Sequence, residues 1–148
     1  MKTAFIFGLG YVGLSLAQAL AKKGWQIRGT TRTPSKLTGK IGIGWKILPF
    51  AGDKPLANPQ KVFSDVDVII STISAIEGSD LVLDLHGRDL DGFSGWAGYI
   101  SATSVYPDMP SGICYEDTPV APATARGKAR VLAESRWQKQ LGLKVSLL

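Results

Sequence analysis

The sequence predicts a doubly wound α/β domain: three αβα layers around a parallel sheet in the strand order 3-2-1-4-5-6. Three observations carry this expectation. Strand-like apolar runs alternate with helical patterns along the whole chain. A glycine-rich turn joins the first strand directly to the first helix. Right-handed crossovers then wind the sheet in both directions from that first strand.

The elements follow in order. Thr3–Phe7 is short, apolar and rich in β-formers, as a strand buried on both faces must be. Over residues 11–23, Val12, Leu16, Ala19 and Leu20 recur at helical spacing. Lys22 and Lys23 suit the negative end of that helix, and Gly24 suits a left-handed stop. Residues 25–30 read as the second strand, which completes one β-α-β unit. Pro34 and three glycines make residues 33–44 a loop or a short, poorly formed helix, before a strand near residues 45–48. Residues 66–71 and 98–102 have the composition of central strands. Between them, Leu81, Leu85 and Leu90 give residues 79–93 helical spacing. Four prolines make residues 106–122 a long loop. Ala125, Ala129, Leu132, Ala133, Trp137 and Leu141 then line one face of a helix over residues 124–141, closed by Gly142, and residues 143–148 form a last strand.

At 148 residues the chain, 1–148, is predicted to be a single domain. Apolar residues at 45% and charged residues at 20% exclude wholesale disorder. The single cysteine, Cys114, cannot form an internal disulfide, and His86 is the only histidine, so no Cys/His metal site is expected and a reducing cytoplasm fits best. The net charge of +5 is spread without any run of five basic residues, which indicates solvated surface rather than a nucleic-acid face. Residues 3–21 superficially match a secretory signal, but Gly8, Gly10 and Gly13 interrupt it and are better explained by the strand-turn-helix unit. No other stretch could span a membrane.

Gly8-Leu9-Gly10-Tyr11-Val12-Gly13 follows a predicted strand and opens a predicted helix, the context that turns G-x-G-x-x-G into a dinucleotide-binding (Rossmann) fingerprint. Gly8 permits the tight turn, Gly10 the approach of a pyrophosphate, and Gly13 close helix–strand packing, while the helix start offers N–H groups to phosphate. No acidic residue ends the second strand to bind a ribose 2′-OH. Thr30, Thr31 and Arg32 stand there instead, so NADP(H) is expected over NAD(H). Ser71, Thr72 and Ile73 end the fourth strand at the topological switch point and are expected to line the adenosine and phosphate part of the crevice.

On these pieces the chain resembles the short-chain dehydrogenase/reductase superfamily, in its atypical members close to the extended NAD-dependent epimerase/dehydratase type. Residues 99–106 (Tyr-Ile-Ser-Ala-Thr-Ser-Val-Tyr), the loop Glu116-Asp117-Thr118-Pro119, and Pro122 leading into residues 128–134 carry the rest of the likeness. The resemblance implies a Ser/Thr that polarises the substrate, a Tyr that transfers the proton, and a Lys that holds the nicotinamide ribose. Lys128 matches the lysine, also as a cofactor ligand. Thr124 stands where the tyrosine belongs and Ala102 where the Ser/Thr belongs, flanked by Ser101 and Thr103. An aliphatic hydroxyl titrates far above a phenol, so Thr124 is a poor base. Thr103, Tyr106, Thr124 and Lys128 are the catalytic candidates, with Tyr106 the nearest spare phenol and Tyr115 and Asp108 weaker ones. Thr124 as a helix cap, Lys128 as a surface lysine and Tyr106 as a packed aromatic are the structural alternatives.

The resembling proteins continue past the last strand into a substrate-binding part, so the chain is expected to be truncated before that part or to pair as a homodimer around its exposed edge. Three functions compete. One is an NADP(H)-dependent oxidoreductase or epimerase/dehydratase acting on a carbonyl or sugar-nucleotide small molecule; another is a catalytically impaired NADP(H)-sensing module. The third is a two-domain dehydrogenase lacking its second domain.

Overall fold

The computed structural model describes residues 1–108, 112–115, 117–142 and 145–147, the last three by their backbone. Six strands form one parallel sheet: β1 (Thr3–Phe7), β2 (Gln26–Thr31), β3 (Lys46–Pro49), β4 (Val68–Ser71), β5 (Trp96–Tyr99) and β6 (Val145–Leu147). Their order is β3-β2-β1-β4-β5-β6, the doubly wound arrangement expected, with the chain reversing direction across the sheet between β1 and β4. Four helices cover it: α1 (Tyr11–Lys22), α2 (Pro59–Phe63), α3 (Leu81–His86) and α4 (Ala125–Leu141).

All five residues of β1 are buried, and their alternation builds the two cores. Phe5 and Phe7 point to one side, into a cluster with Phe63 of α2, Val82 of α3 and Ala133 and Trp137 of α4. Ala4 and Ile6 point to the other side, against Ala17 of α1 and Leu37 of a 3-10 turn at Pro34–Leu37. Gly24 takes φ +81° just beyond α1, and Gly142 takes φ +64° just beyond α4, so both glycines stop their helices as expected.

Several boundaries differ from expectation. Strand β5 ends at Tyr99, paired with Ser71 of β4; after a last bond from the Ile100 N–H to the Ser71 carbonyl the chain leaves the sheet, and Thr103–Val105 form a 3-10 turn beyond the carboxyl end of β5. The helical pattern over residues 79–93 divides into α3 and a 3-10 turn at Arg88–Leu90. Asp80 caps α3 by accepting from the N–H groups of Val82 and Leu83. Helix α2, at five residues, is too short to leave a periodic signal.

Ala129, Ala133, Trp137 and Leu141 of the expected α4 face are buried, but the buried stripe is not purely apolar. It includes Gly127, Arg130 and Glu134 beside Ala129, Ala133 and Trp137, whereas Ala125 and Leu132 are exposed. Gly127 has a packing reason, since a Cβ there would stand 2.1 Å from the Ser104 carbonyl oxygen in the Thr103–Val105 turn. Glu116 and the side chains of the last strand lie outside the described residues, as does the expectation built on that strand's exposed edge. Among the described residues no helix is long and apolar enough to cross a membrane, and no group of three or more His, Cys, Asp or Glu could hold a metal.

Candidate functional site

The site begins at the bend between β1 and α1. Gly8 has φ +91°, and a Cβ on it would meet Thr72 Oγ1 at 2.7 Å, so both conformation and space demand glycine. Threonines from the two flanking strands fasten this bend. Thr30 Oγ1 of β2 accepts from the Gly8 N–H at 3.0 Å, and Thr72 Oγ1, just after β4, donates to the Gly8 carbonyl at 2.6 Å. The Leu9 N–H adds a bond to the Thr30 carbonyl at 2.7 Å. The turn is therefore held in one shape before any ligand arrives, which lowers the ordering cost of binding.

Gly13 sits one helical turn on, where a Cβ would come within 2.1 Å of the Gly8 carbonyl oxygen. That contact sets how closely α1 approaches β1. Gly10 is different: a Cβ there would meet nothing within 4 Å. The space it leaves open lies at the start of α1, where no side chain caps the helix and no acidic residue occupies the first turn. The N–H groups of this turn and the positive end of the helix dipole are thus left to an external anion. A diphosphate fits this cradle, with the backbone of Tyr11, Val12 and Gly13 as the donor set.

A crevice of about 480 Å³ opens from the bend across the carboxyl ends of the central strands. Gly8, Gly10, Thr31, Arg32, Thr72 and Ile73 line it together, with Phe50, Ser74, Ile76 and Leu81 as further walls. Tyr11 and Val12 are exposed on the first turn of α1 beside it. A second hollow of about 530 Å³ shares Arg32, Phe50 and Ala51 and is otherwise walled mainly by Pro49, Pro55, Leu56 and Ala57, with Asp53 and Lys54 at its rim. Arg32 is exposed and forms no ion pair or hydrogen bond with any described residue.

Two expectations at this site are corrected. Ser71 does not line the crevice: its pairing with Phe7 and Tyr99 in the middle of the sheet buries it completely, and its hydroxyl oxygen has no partner among the described residues. The Thr30 hydroxyl is likewise fully buried and committed to Gly8, so it is not available to a phosphate.

The four catalytic candidates gather in a separate neighbourhood. Thr103 is exposed and Tyr106 half-buried at the ends of the 3-10 turn after β5, and the start of α4, bearing Thr124 and Lys128, packs against that turn. None of the four lines the crevice. The Thr124 hydroxyl caps α4 by accepting from the Gly127 N–H at 3.0 Å, and Lys128 is exposed. The cation that α4 does bury is Arg130, which reaches Ser74 on the crevice wall and the Ile100 carbonyl. Burial raises the Tyr99 phenol above its ordinary value, against the opposing pull of the adjacent Arg130 guanidinium. Sequence reasoning overlooked Thr30 as an anchor, and also Ser74 and Arg130. Only Thr30 carried a local signal, its place at the end of the strand beside the glycine turn.

The fold is shared with proteins of known structure. A conserved protein of unknown function from Silicibacter pomeroyi superposes with a TM-score of 0.81 at 32% identity, over 99% of this chain and 52% of that one. UDP-glucuronic acid 4-epimerase from Bacillus cereus, solved with UDP-glucuronic acid and NAD, gives 0.76 at 18% identity, over 99% of this chain and 55% of its own. The Bordetella bronchiseptica enzyme WbmH, solved with NAD+, gives 0.72 at 17% identity, over 100% and 55% respectively. The chain thus spans about half the length of these structures, and the two at under 20% identity share its fold. No curated protein matches the chain. The family model for the NAD binding domain of 6-phosphogluconate dehydrogenase matches residues 2–108, from β1 past β5, and the chain belongs to that family of nicotinamide-dinucleotide-binding domains.

Proposed function

We propose that the protein binds NADP(H) in preference to NAD(H) and serves an oxidoreductase or epimerase/dehydratase of the short-chain dehydrogenase/reductase type, acting on a carbonyl or sugar-nucleotide substrate. The observation that carries this reading is Arg32. It is an exposed guanidinium without a partner among the described residues, on the crevice wall where an NAD-selecting domain would place a carboxylate. The first turn of α1 would hold the diphosphate, the end of β2 the adenosine ribose, and Arg32 and Thr31 the 2′-phosphate. A dianionic phosphate accepts a charge-assisted, bidentate bond from such a fork. When bound, the cofactor supplies or accepts a hydride, and the protein's part is to orient it.

Titration calorimetry with NADPH and NADH tests the preference. Tighter NADPH binding is expected, and Arg32→Ala should weaken NADPH by about 10- to 100-fold, from the loss of one charged hydrogen-bonding pair, while leaving NADH within about twofold. Equal affinities in the unmodified protein, or tighter NADH, would overturn the reading.

In the enzyme, Tyr106 is proposed to serve proton transfer, Lys128 to hold the nicotinamide ribose and assist that phenol, Thr103 to bind the substrate oxygen, and Thr124 to stand in the family's tyrosine position. NADPH oxidation across a carbonyl panel that disappears in Lys128→Ala and Tyr106→Phe would support this. A second reading, an NADP(H)-sensing domain without chemistry, is favoured by one observation: the Thr124 hydroxyl is occupied as a helix cap. Tight NADPH binding with no turnover on any carbonyl would select it.

A further inference from the structure

Arg130 is 8% exposed and forms no ion pair among the described residues. A guanidinium does not lose its proton inside a protein, so its burial must be offset by acceptors. Nη1 donates to the Tyr99 hydroxyl at 3.1 Å and the Ile100 carbonyl at 2.9 Å, and Nη2 donates to Ser74 Oγ at 2.6 Å. Nε finds no acceptor among the described residues. Glu134, one turn along the same helix and also buried, accepts from the Ser101 hydroxyl instead. A positive charge is thus held at the carboxyl ends of β4 and β5 with neutral partners alone.

The direction of the bond to Ser74 decides what that serine does. Arginine carries only donors, so Ser74 Oγ must accept, and its own proton is left for another partner. Ser74 is exposed, lines the crevice and donates to no described residue. We propose that Ser74, polarised by Arg130 behind it, is a hydrogen-bond donor to an acceptor oxygen on the nicotinamide half of the dinucleotide. The half follows from topology. A dinucleotide straddles the point where strand order reverses, between β1 and β4, and Arg32 occupies the β2 side, so the β4 side receives the other nucleoside. A donor whose oxygen already accepts a charged bond is strengthened by cooperativity. The inference rests on the dinucleotide reading of the same crevice and adds the side chains that hold its second half.

Calorimetry with two ligands tests it: NADPH, and 2′,5′-ADP, which has the adenosine and its 2′-phosphate but no nicotinamide. Ser74→Ala should weaken NADPH by about 5- to 10-fold, the size of one hydrogen bond, and leave 2′,5′-ADP within about twofold. Arg130→Lys, which keeps the charge but not the fork, should weaken NADPH alone to a similar extent, and the double variant should lose no more than about twofold beyond either single change. Because Arg130 is buried, circular dichroism and thermal melting accompany that variant; Ser74 is exposed, and its variant decides the matter if Arg130→Lys does not fold. Unchanged NADPH affinity in Ser74→Ala, or equal loss of both ligands, overturns the inference. An unmodified protein that binds neither ligand overturns the dinucleotide reading itself, and with it this one.

Discussion

Gly10→Val is expected to leave the fold standing and to lose NADPH binding by at least about 100-fold, because phosphate contacts to backbone N–H groups are charged hydrogen bonds worth about 1.5–3 kcal/mol each. A Cβ at Gly10 meets no described atom within 4 Å, and its φ of −82° is open to any residue, so the melting temperature should fall by no more than a few degrees. The branched side chain fills the space the diphosphate needs and keeps it from the first turn of α1. Gly13→Ala is the converse. Its Cβ would lie 2.1 Å from the Gly8 carbonyl oxygen, a backbone atom that cannot yield without moving α1 off β1. Overpacking of this kind costs about 1–3 kcal/mol, so both stability and binding should fall. Calorimetry beside thermal melting separates the two. A Gly10 variant that binds normally would remove the cradle from the mechanism.

Asp80→Ala is expected to be the most damaging single change away from the crevice, at about 3 kcal/mol, from leaving buried donors unsatisfied. Asp80 is 2% exposed; one carboxylate oxygen accepts from the Val82 and Leu83 N–H groups, and the other from Trp137 Nε1 at 2.9 Å, which ties α3 to α4 across 57 residues. A drop of about 10 °C in melting temperature follows for a domain of this size. Asp80→Asn should cost less, because the amide keeps one acceptor oxygen.

The same residue gives a pH signature. Burial pushes the Asp80 carboxyl above its ordinary 3.8, outweighing its three donors and the charge of nearby Arg136. With the folded value raised, the folded state holds the proton more tightly, so this contribution is fully present below the unfolded value and is lost as pH rises through the folded one. Urea unfolding at several pH values should therefore show the stability advantage of the unmodified protein over Asp80→Asn growing as pH falls from about 7 towards 4. The carboxyls held below their ordinary values, Asp65 by Arg28 and Asp84 by its bonds from Ser79 and Arg136, respond in the opposite direction. They do so in both proteins and cancel in the difference.

The β1-bend-α1-β2 unit was legible because its determinants are local. A buried strand, a left-handed glycine, an amphipathic period and a terminal glycine all act within thirty residues, and the order of the six strands follows from handedness once the alternation is recognised. Helix α4 was legible in extent and in the face that carries Ala129, Ala133, Trp137 and Leu141, but not in the polar residues that share that face. Arg130 and Glu134 occupy the buried stripe, and polarity alone assigns such residues to solvent. Tertiary structure alone decided that Thr30 and Thr72 clamp the bend, that Ser71 is sealed beneath it, and that Arg130 faces Ser74. Each of these pairings joins residues at least 22 positions apart whose chemistry is ordinary in isolation. A hydroxyl or a guanidinium acquires its role from the partner that the sheet brings beside it, and that partner is set by packing, not by neighbours in the chain.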